Sequence, residues 1–579
     1  MTSASSASSA SKLTKAAPFH PSSEQDEWWR SGVIYQVYPR SFADANGDGI
    51  GDMKGIASRL EYLRGIGVDA VWISPFYPSP QKDAGYDVSD YCDVEPMFGN
   101  LRDADDLIER AHELGLKVIF DLVPNHTSDQ HPWFQRALAA EPGSYERDWY
   151  IFRDIDPENP DTPPNNWESV FGNSAWSKTP NEDQWYLHLF DSSQPDLNWN
   201  KQAVREAFLD ILRFWLDRGV DGFRVDVAHG LVKADGLPDA KMTTREMAGD
   251  GMATQTSPYW DQDGVHEIYP EWRKLLDTYP GDRAMVAEAW VEPYSRIARY
   301  VRPNEFHQAF NFSFLDAPWD ASFLAKCIRE TYEANDIVGA PATWVLSNHD
   351  VIRPATRLAL DPKHLVSQLA EAVPEPDPVV GAHRARAAST LMLGLPGSGY
   401  LYQGEELGLP EVLDLDDASR EDPIFIRTAG ERLGRDGCRV PIPWVKDAPS
   451  YGFGKNDNSW LPQPECFGDI AVDQQEGDPN SALELYRTLL RVRRERGLGS
   501  GSLDFIEPAE LTASADDSIA DDSGLLIFDV SSEAGTTRVV LNTGTTPWRI
   551  PDNARVLVSS WPGVTDSVLT DCAVWLALD

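Results

Sequence analysis

The chain has no apolar run approaching the roughly 20 residues that a membrane-crossing helix needs, so no span is expected. Basic residues are scarce: 51 Lys and Arg stand against 92 Asp and Glu, a formal net charge of −41. Nucleic acid and anionic membrane surfaces would repel such a chain, which excludes both as partners and leaves a neutral ligand as the easy fit. Cysteine is scarcer still. Cys92, Cys327, Cys438, Cys466 and Cys572 are odd in number, lie far apart and form no CxxC pair. They offer no thiolate metal site and suit a reducing compartment. The opening MTSASSASSASKLTKAAPF lacks the apolar core of a signal peptide and reads as a disordered tail over 1–25. Together these features predict a cytoplasmic protein. A Gly-rich dinucleotide fingerprint is also missing, which argues against an open nucleotide-binding sheet.

Aromatics, by contrast, are plentiful: 20 Trp, 19 Tyr and 22 Phe, suited to large cores and to stacking on flat ligands such as sugar rings. From Gly32 onward, short β-branched or aromatic runs alternate with helical patterns. The strand candidates are GVIYQVYPR, DAVWISPF, KVIFDLVPN, GFRVDV, AMVAEAW, AFNFSF, TWVLSNHD and GYLYQGEE. Between them lie amphipathic stretches such as LRDADDLIERAHELG and KQAVREAFLDILRFWLDRG. Eight such alternations predict an α/β fold, a (β/α)8 TIM barrel spanning 26–126 and 201–499. Residues 127–200, rich in Pro, Asn, Trp and Asp, are too long for a structureless loop and read as an inserted subdomain. After LELYRTLLRVRRERG the runs GLLIFDVSS, TTRVVLNTG, ARVLVSS and CAVWLAL predict a C-terminal all-β sandwich over 500–579.

The active site of such a barrel lies at the C-terminal ends of its strands. Those ends carry Asp121, Asn125 and His126; Arg224 and Asp226; Glu288; and His349 and Asp350. A strand such as FRVDV has a packing reason for Phe and Val but none for Arg and Asp, because buried charge is costly without a purpose.

The motifs DLVPNH (121–126), GFRVDVAH (222–229), AEAW (287–290) and SNHD (347–350), with QPDLNW (194–199) and YQGEELG (402–408), resemble the α-amylase superfamily, glycoside hydrolase family 13. Within it they are similar to the α-glucosidase and oligo-1,6-glucosidase branch, from about residue 28 to 450. The resemblance implies a retaining glycosidase with Asp226 as nucleophile, Glu288 as general acid/base and Asp350 as the third carboxylate. His126 and His349 would hold the reacting glucose. Arg224, two residues before Asp226 on the same strand face, would keep the nucleophile ionised. Glu288 would need a raised pKa for its task. A retaining pair should sit about 5–5.5 Å apart.

In KDAGYD, Asp83 and Tyr86 match residues of relatives that accept only a terminal glucose: Asp83 for its outer hydroxyls, Tyr86 to stack on its ring. Arg439, in GRDGCRVPIPW, matches the arginine that pairs with the Asp83 equivalent and closes the pocket. Phe171, Trp176 and Trp290 are candidates for the leaving-group side. DANGDGIGD (44–52) offers Asp44, Asn46, Asp48, the Ile50 carbonyl and Asp52 as hard oxygen ligands, and branch members carry a structural Ca²⁺ there; Mg²⁺ would also suit the donors.

The reading is therefore an exo-acting α-glucosidase on a small neutral α-glucoside of the maltose or isomaltose type. Val227 beside the nucleophile, like QPDLNW, leans toward α-1,6 bonds in this branch. A glucosyltransferase, an isomerase, or a sucrose- or trehalose-acting enzyme would use the same residues. A phosphosugar hydrolase would want a basic cluster that this acidic chain does not display. A non-catalytic binding homologue would be expected to lose the carboxylates, and all three are present.

Overall fold

The computed structural model describes residues 27–181, 183–241, 257–361, 376–506 and 524–578, and the expected tail over 1–25 lies outside them. VIYQV, AVWI and KVIFDL form β1 (Val33–Val37), β2 (Ala70–Ile73) and β3 (Lys117–Leu122). All their residues but Lys117 are buried, as in strands covered on both faces, which is why the runs do not alternate in polarity. Between β3 and the helix Gln202–Asp217 come the helix Pro132–Ala139 and three short antiparallel strands, β4 (Phe152–Asp154), β5 (Trp176–Lys178) and β6 (Gln184–Leu187), ordered β4-β6-β5. This is the inserted subdomain after the third strand.

The barrel resumes with β7 (Gly222–Val225), β8 (Ala284–Ala287), β9 (Gln308–Ala309), β10 (Thr343–Val345) and β11 (Ser398–Tyr402). The eight-stranded sheet runs β10-β11-β1-β2-β3-β7-β8-β9, parallel throughout. Its two edges meet where the Asn311 N–H donates to the Thr343 carbonyl at 3.1 Å, closing the ring. All eight strands thus form where expected, with one difference. In AFNFSF only the first residue is strand, and Phe312–Leu315 turn into a helix because the Asn311 side chain caps it by accepting the Phe314 N–H. The outer helices bury a single face. Gln202–Asp217 turns Val204, Phe208, Ile211, Leu212, Trp215 and Leu216 inward, at the spacing of one helical stripe.

After the helix Ala482–Glu495 come β12 (Ser502–Phe505), β13 (Leu525–Ser532), β14 (Gly535–Asn542), β15 (Trp548–Arg549), β16 (Ala554–Ser559), β17 (Ser567–Val568) and β18 (Cys572–Leu578). They build an antiparallel sheet β12-β13-β14-β18-β16 with the β15-β17 ribbon as a second layer. Period-two alternation splits its faces. Leu526, Phe528, Val530, Val539 and Trp575 join the main core, while Ile527, Val540, Val574 and Leu576 pack with Trp548 and Val568 of the ribbon. Trp575 fixes the sheet to the barrel by donating its indole N–H to the Thr390 carbonyl on the helix Pro378–Gly394.

YQGEELG, at the end of β11, turns two acids inward among hydroxyls. Glu405 accepts from Ser347 and Tyr486, and Glu406 Oε1 from Tyr35 and Tyr62, each Tyr contact at 2.8 Å. No cation shares these hydrogen bonds, and burial pushes the Glu406 carboxyl up to about 7.

Candidate active site

Register brings the first cluster together. Asp121 of β3 lies opposite Arg224 of β7, and Val225 opposite Ala287, so Asp226 and Glu288 leave adjacent strands at the same level. Arg224 and Asp226, two residues apart, share a face. The buried guanidinium of Arg224 is divided among three acids. Its Nη1 donates to Asp121 Oδ1 at 2.8 Å and to Asp226 Oδ1 at 2.7 Å, and its Nη2 lies 2.8 Å from Glu288 Oε2. Asp121 is further tied by Trp72 Nε1 at 3.1 Å and the Tyr86 hydroxyl at 3.2 Å. Glu288 Oε2 also accepts the Val227 N–H at 2.9 Å.

One cation for three carboxyls has an electrostatic consequence. Burial, with Glu288 and Asp121 close by, pushes the Asp226 carboxyl well above its ordinary range in spite of Arg224. Burial likewise lifts Asp121 to about 6. Arg224 does contact Asp226 as expected, but its guanidinium is shared with Asp121 and Glu288. Asp226 and Glu288 are drawn onto the same guanidinium, Asp226 through Nη1 and Glu288 through Nη2.

A second cluster lies across the cavity. Arg435 Nη2 donates to Asp83 Oδ1 at 2.9 Å, its Nη1 to Asp350 Oδ1 at 3.0 Å, and its Nε to Asp422 Oδ2 at 2.6 Å. The assignment of Arg439 as the partner of Asp83 is thereby corrected. Arg439 is buried beneath the cavity, donating from Nε to the His349 carbonyl and from Nη2 to Asp350 Oδ1, both at 2.9 Å, and of the two arginines it is Arg435 that reaches Asp83. Asp350 is partly buried, which opposes its charge, yet the groups around it hold it below the usual carboxylate range: His349 first, then Arg435 and Arg439. Since burial drops His349 to about 3, the arginines carry that effect near pH 7. Asp83 is pushed by burial up to about 6 against the pull of Arg435.

Both expected imidazoles are neutral. His126, lowered by burial to about 4, meets the Tyr86 carbonyl at 3.2 Å and Gln194 Nε2 at 3.1 Å. His349 Nδ1 faces Gln36 Nε2 at 2.8 Å, which leaves its proton on Nε2, 3.3 Å from Asp350 Oδ2. One face of Tyr86 is taken by the His349 ring, stacked at 5.2 Å and 3°.

Asp83, Tyr86, His126, Phe171, Asp226, Glu288, Trp290, Asp350 and Arg435 line one cavity of about 150 Å³. Arg224, His349 and Arg439 stand behind that lining. Trp176 is absent from it, because β5 turns it into the subdomain, where Nε1 donates to Asn165 Oδ1 at 2.8 Å. The sequence reading missed Phe190, Trp260 and Asp316, which also line the cavity. It missed Gln194 as well, whose Nε2 donates to Asp83 Oδ2 at 3.0 Å, although QPDLNW had marked its segment.

The loop 44–52 is folded on its own backbone. Asp44 accepts the N–H groups of Gly47 and Gly49, Asn46 that of Asp48, Asp48 that of Ile50, and Asp52 those of Ala45, Asn46 and Gly55. Its donors are the hard oxygens that Ca²⁺ or Mg²⁺ takes, and carboxylates retain spare lone pairs beside these bonds. Among the described residues no three His, Cys, Asp or Glu side chains converge as a metal cluster, so a cation here would lean on the amide and carbonyl oxygens too.

The model of the α-amylase catalytic domain matches residues 36–501. The chain is 40% identical over 526 residues to a probable alpha-glucosidase of Rhizobium meliloti (strain 1021), covering 88% of this chain and 90% of that protein. It is 36% identical over 503 residues to an oligo-1,6-glucosidase of Parageobacillus thermoglucosidasius, covering 81% and 84%. Among solved structures it is similar to the alpha-glucosyl transfer enzyme XgtA, with a TM-score of 0.79, 35% identity, and coverage of 96% of this chain and all of that one. With its acids gathered at the ends of barrel strands, and with these matches running through most of its length, the chain belongs to the α-amylase family of glycoside hydrolases, family 13.

Proposed function

We propose that the protein is an exo-acting, retaining α-glucosidase that removes terminal α-linked glucose from short oligosaccharides of the maltose and isomaltose type by double displacement. The observation that carries this reading is the Asp226–Glu288 pair on Arg224, set in a cavity that also holds the Asp83–Arg435 ion pair. Asp226 attacks the anomeric carbon. Glu288 protonates the leaving oxygen and then takes a proton from water. Two carboxyls held by one guanidinium favour the shorter retaining spacing of about 5–5.5 Å over the inverting one of about 6.5–9.5 Å. Asp350, held ionised, accepts from sugar hydroxyls, and the neutral His126 lines the same cavity, with the Nε2–H of His349 beside Asp350. An ion pair across the end of the cavity admits a chain terminus and stops its continuation, which favours exo-action.

The test is incubation with maltose, isomaltose, sucrose and trehalose separately, with chromatography of the products and Asp226→Asn as the control. Glucose from maltose or isomaltose, absent in the variant, is the expected result. No turnover of either would overturn the reading. A second reading, glucosyl transfer, draws on the likeness to XgtA and would appear as new oligosaccharides or an isomerised disaccharide. We also propose a structural Ca²⁺ in the loop 44–52, on the chemistry of its donors. A cytoplasmic location is supported by five cysteines that are all free. Among the described residues, no helix is long and apolar enough to cross a membrane.

A further inference from the structure

Three N–H donors hold the Glu288 carboxyl, distributed unevenly over its two oxygens. Oε2 faces both the Val227 N–H and Arg224 Nη2, at 2.9 and 2.8 Å. Oε1 accepts from the indole Nε1 of Trp290, at 3.2 Å. A carboxylate oxygen has two lone pairs, so the two donors on Oε2 fill it, and Oε1 keeps one beside the indole. A proton to be given away must occupy that open position.

Both supports of the carboxyl are fixed. Trp290 lies flat on Phe312, ring centroids 3.8 Å apart and planes 4° from parallel, and Phe312 is itself buried. Val227 adopts φ +45°, an outlier for a β-branched residue, of a kind that costs on the order of 1–3 kcal/mol. A strained valine and a stacked tryptophan thus grip the two oxygens from opposite sides.

We propose that Trp290 is a positioning residue for proton transfer: its indole N–H, fixed by the stack on Phe312, aims the open lone pair of Glu288 Oε1 at the glycosidic oxygen. The proposal rests on the α-glucosidase reading and deepens it. In the first step, a carboxylate oxygen of Asp226 bonds to the anomeric carbon as the glycosidic bond breaks. The electron pair of that bond goes to the leaving oxygen, which takes the proton from Oε1. In the second, water bonds to the anomeric carbon, its proton returns to Oε1, and the bond to Asp226 breaks. The charged or titratable groups around Glu288 are Arg224 and Asp226 at the β7 end, Asp121 from β3, and, around the cavity, Asp316, Asp350, His229 and Arg435. Substituting Trp290 alters none of these charges.

Trp290→Phe keeps a ring on Phe312 and removes only the donor. The experiment measures kcat and KM from pH 5 to 9 on a disaccharide, whose leaving group needs a proton, and on p-nitrophenyl α-glucoside, whose leaving group does not. The expected result is a loss of about tenfold or more in kcat/KM on the disaccharide, with a much smaller loss on the aryl glucoside. The alkaline limb on the disaccharide should move to higher pH, because removing a hydrogen-bond donor disfavours a carboxylate relative to its acid. Phe312→Leu, which loosens the stack and leaves the indole, should give the same pattern in weaker form and stands in if Trp290→Phe does not fold. Equal losses on both substrates, or a change in KM alone with the limb unmoved, would overturn the proposal. Wild-type protein that turns over neither substrate would overturn the α-glucosidase reading, and this proposal with it.

Discussion

Arg435 Nη2 donates to Asp83 Oδ1 at 2.9 Å, joining the loop after β2 to the loop after β11 across the end of the cavity. The same guanidinium reaches Asp350 and Asp422, so its removal takes a cation from three acids at once, although Arg439 still holds Asp350. Arg435→Met should lower stability by about 3–5 kcal/mol, the usual effect of breaking a buried ion pair. It should also lower kcat/KM for a terminal glucoside by about 100-fold, mostly through KM. Denaturant titration and steady-state kinetics read the two effects separately. A stability loss with unchanged KM would remove Arg435 from the substrate pocket.

The roles of Asp226 and Glu288 can be separated chemically. Asp226→Ala and Glu288→Ala should each lose roughly 10⁴-fold or more in kcat. Added azide should then restore turnover of p-nitrophenyl α-glucoside in both, but with different products. In Glu288→Ala, azide attacks the enzyme-bound glucosyl group and gives the α-glucosyl azide. In Asp226→Ala it attacks in place of the missing nucleophile and gives the β-anomer. Reversed stereochemistry would exchange the two assignments.

Stability should fall as pH rises through neutrality, and Glu406 should be one cause. Its folded-state carboxyl titrates at about 7, against about 4.3 in an unfolded chain. Between those values the folded protein binds the extra proton, so its contribution is greatest below the unfolded pKa and is lost as pH rises through the folded one. Glu406→Gln keeps the shape and cannot titrate. It should flatten the decline between about pH 4.3 and 7 by up to about 1.4 kcal/mol per pH unit, read from melting curves at several pH values. Curves parallel to wild type would mean that Glu406 does not exchange a proton on unfolding.

Calcium should act on stability and leave the chemistry alone, since the loop 44–52 follows β1 and lies outside the cavity lining. Chelation should lower Tm by several degrees, added Ca²⁺ should restore it, and kcat at a permissive temperature should stay within about twofold. Asp48→Ala should abolish the response. A Tm indifferent to chelator and to Ca²⁺ would leave the loop as a self-capped turn.

How much of this was legible beforehand depended on distance along the chain. Asp121, Arg224, Asp226 and Glu288 sit at strand ends, where a charge in an apolar run announces itself and the fold supplies the third dimension. Arg435 gave no such signal. It lies four residues from Arg439 in a segment without regular periodicity, and what selects it as the partner of Asp83 is the turn begun by Asp422, which accepts both its N–H and its Nε. The aromatics failed for a related reason. Trp176, Phe190 and Trp260 are alike in the sequence, and only the alternation of a short strand and the path of a loop turn the first away from the cavity and the others toward it. The sixth strand was misjudged because FNFSF is as apolar as a strand, and the capping bond of Asn311 outweighs that pattern.

Among the described residues, five carboxyls and a single guanidinium line the cavity: Asp83, Asp226, Glu288, Asp316 and Asp350 against Arg435. Such an imbalance makes the pocket a trap for small cations. It welcomes the positive charge that grows on the anomeric carbon as the bond breaks, and it equally welcomes any ring-sized molecule that already bears one. Polyhydroxylated amines in their ammonium form should therefore compete with substrate for the very charge that drives the reaction, which inhibition kinetics would show.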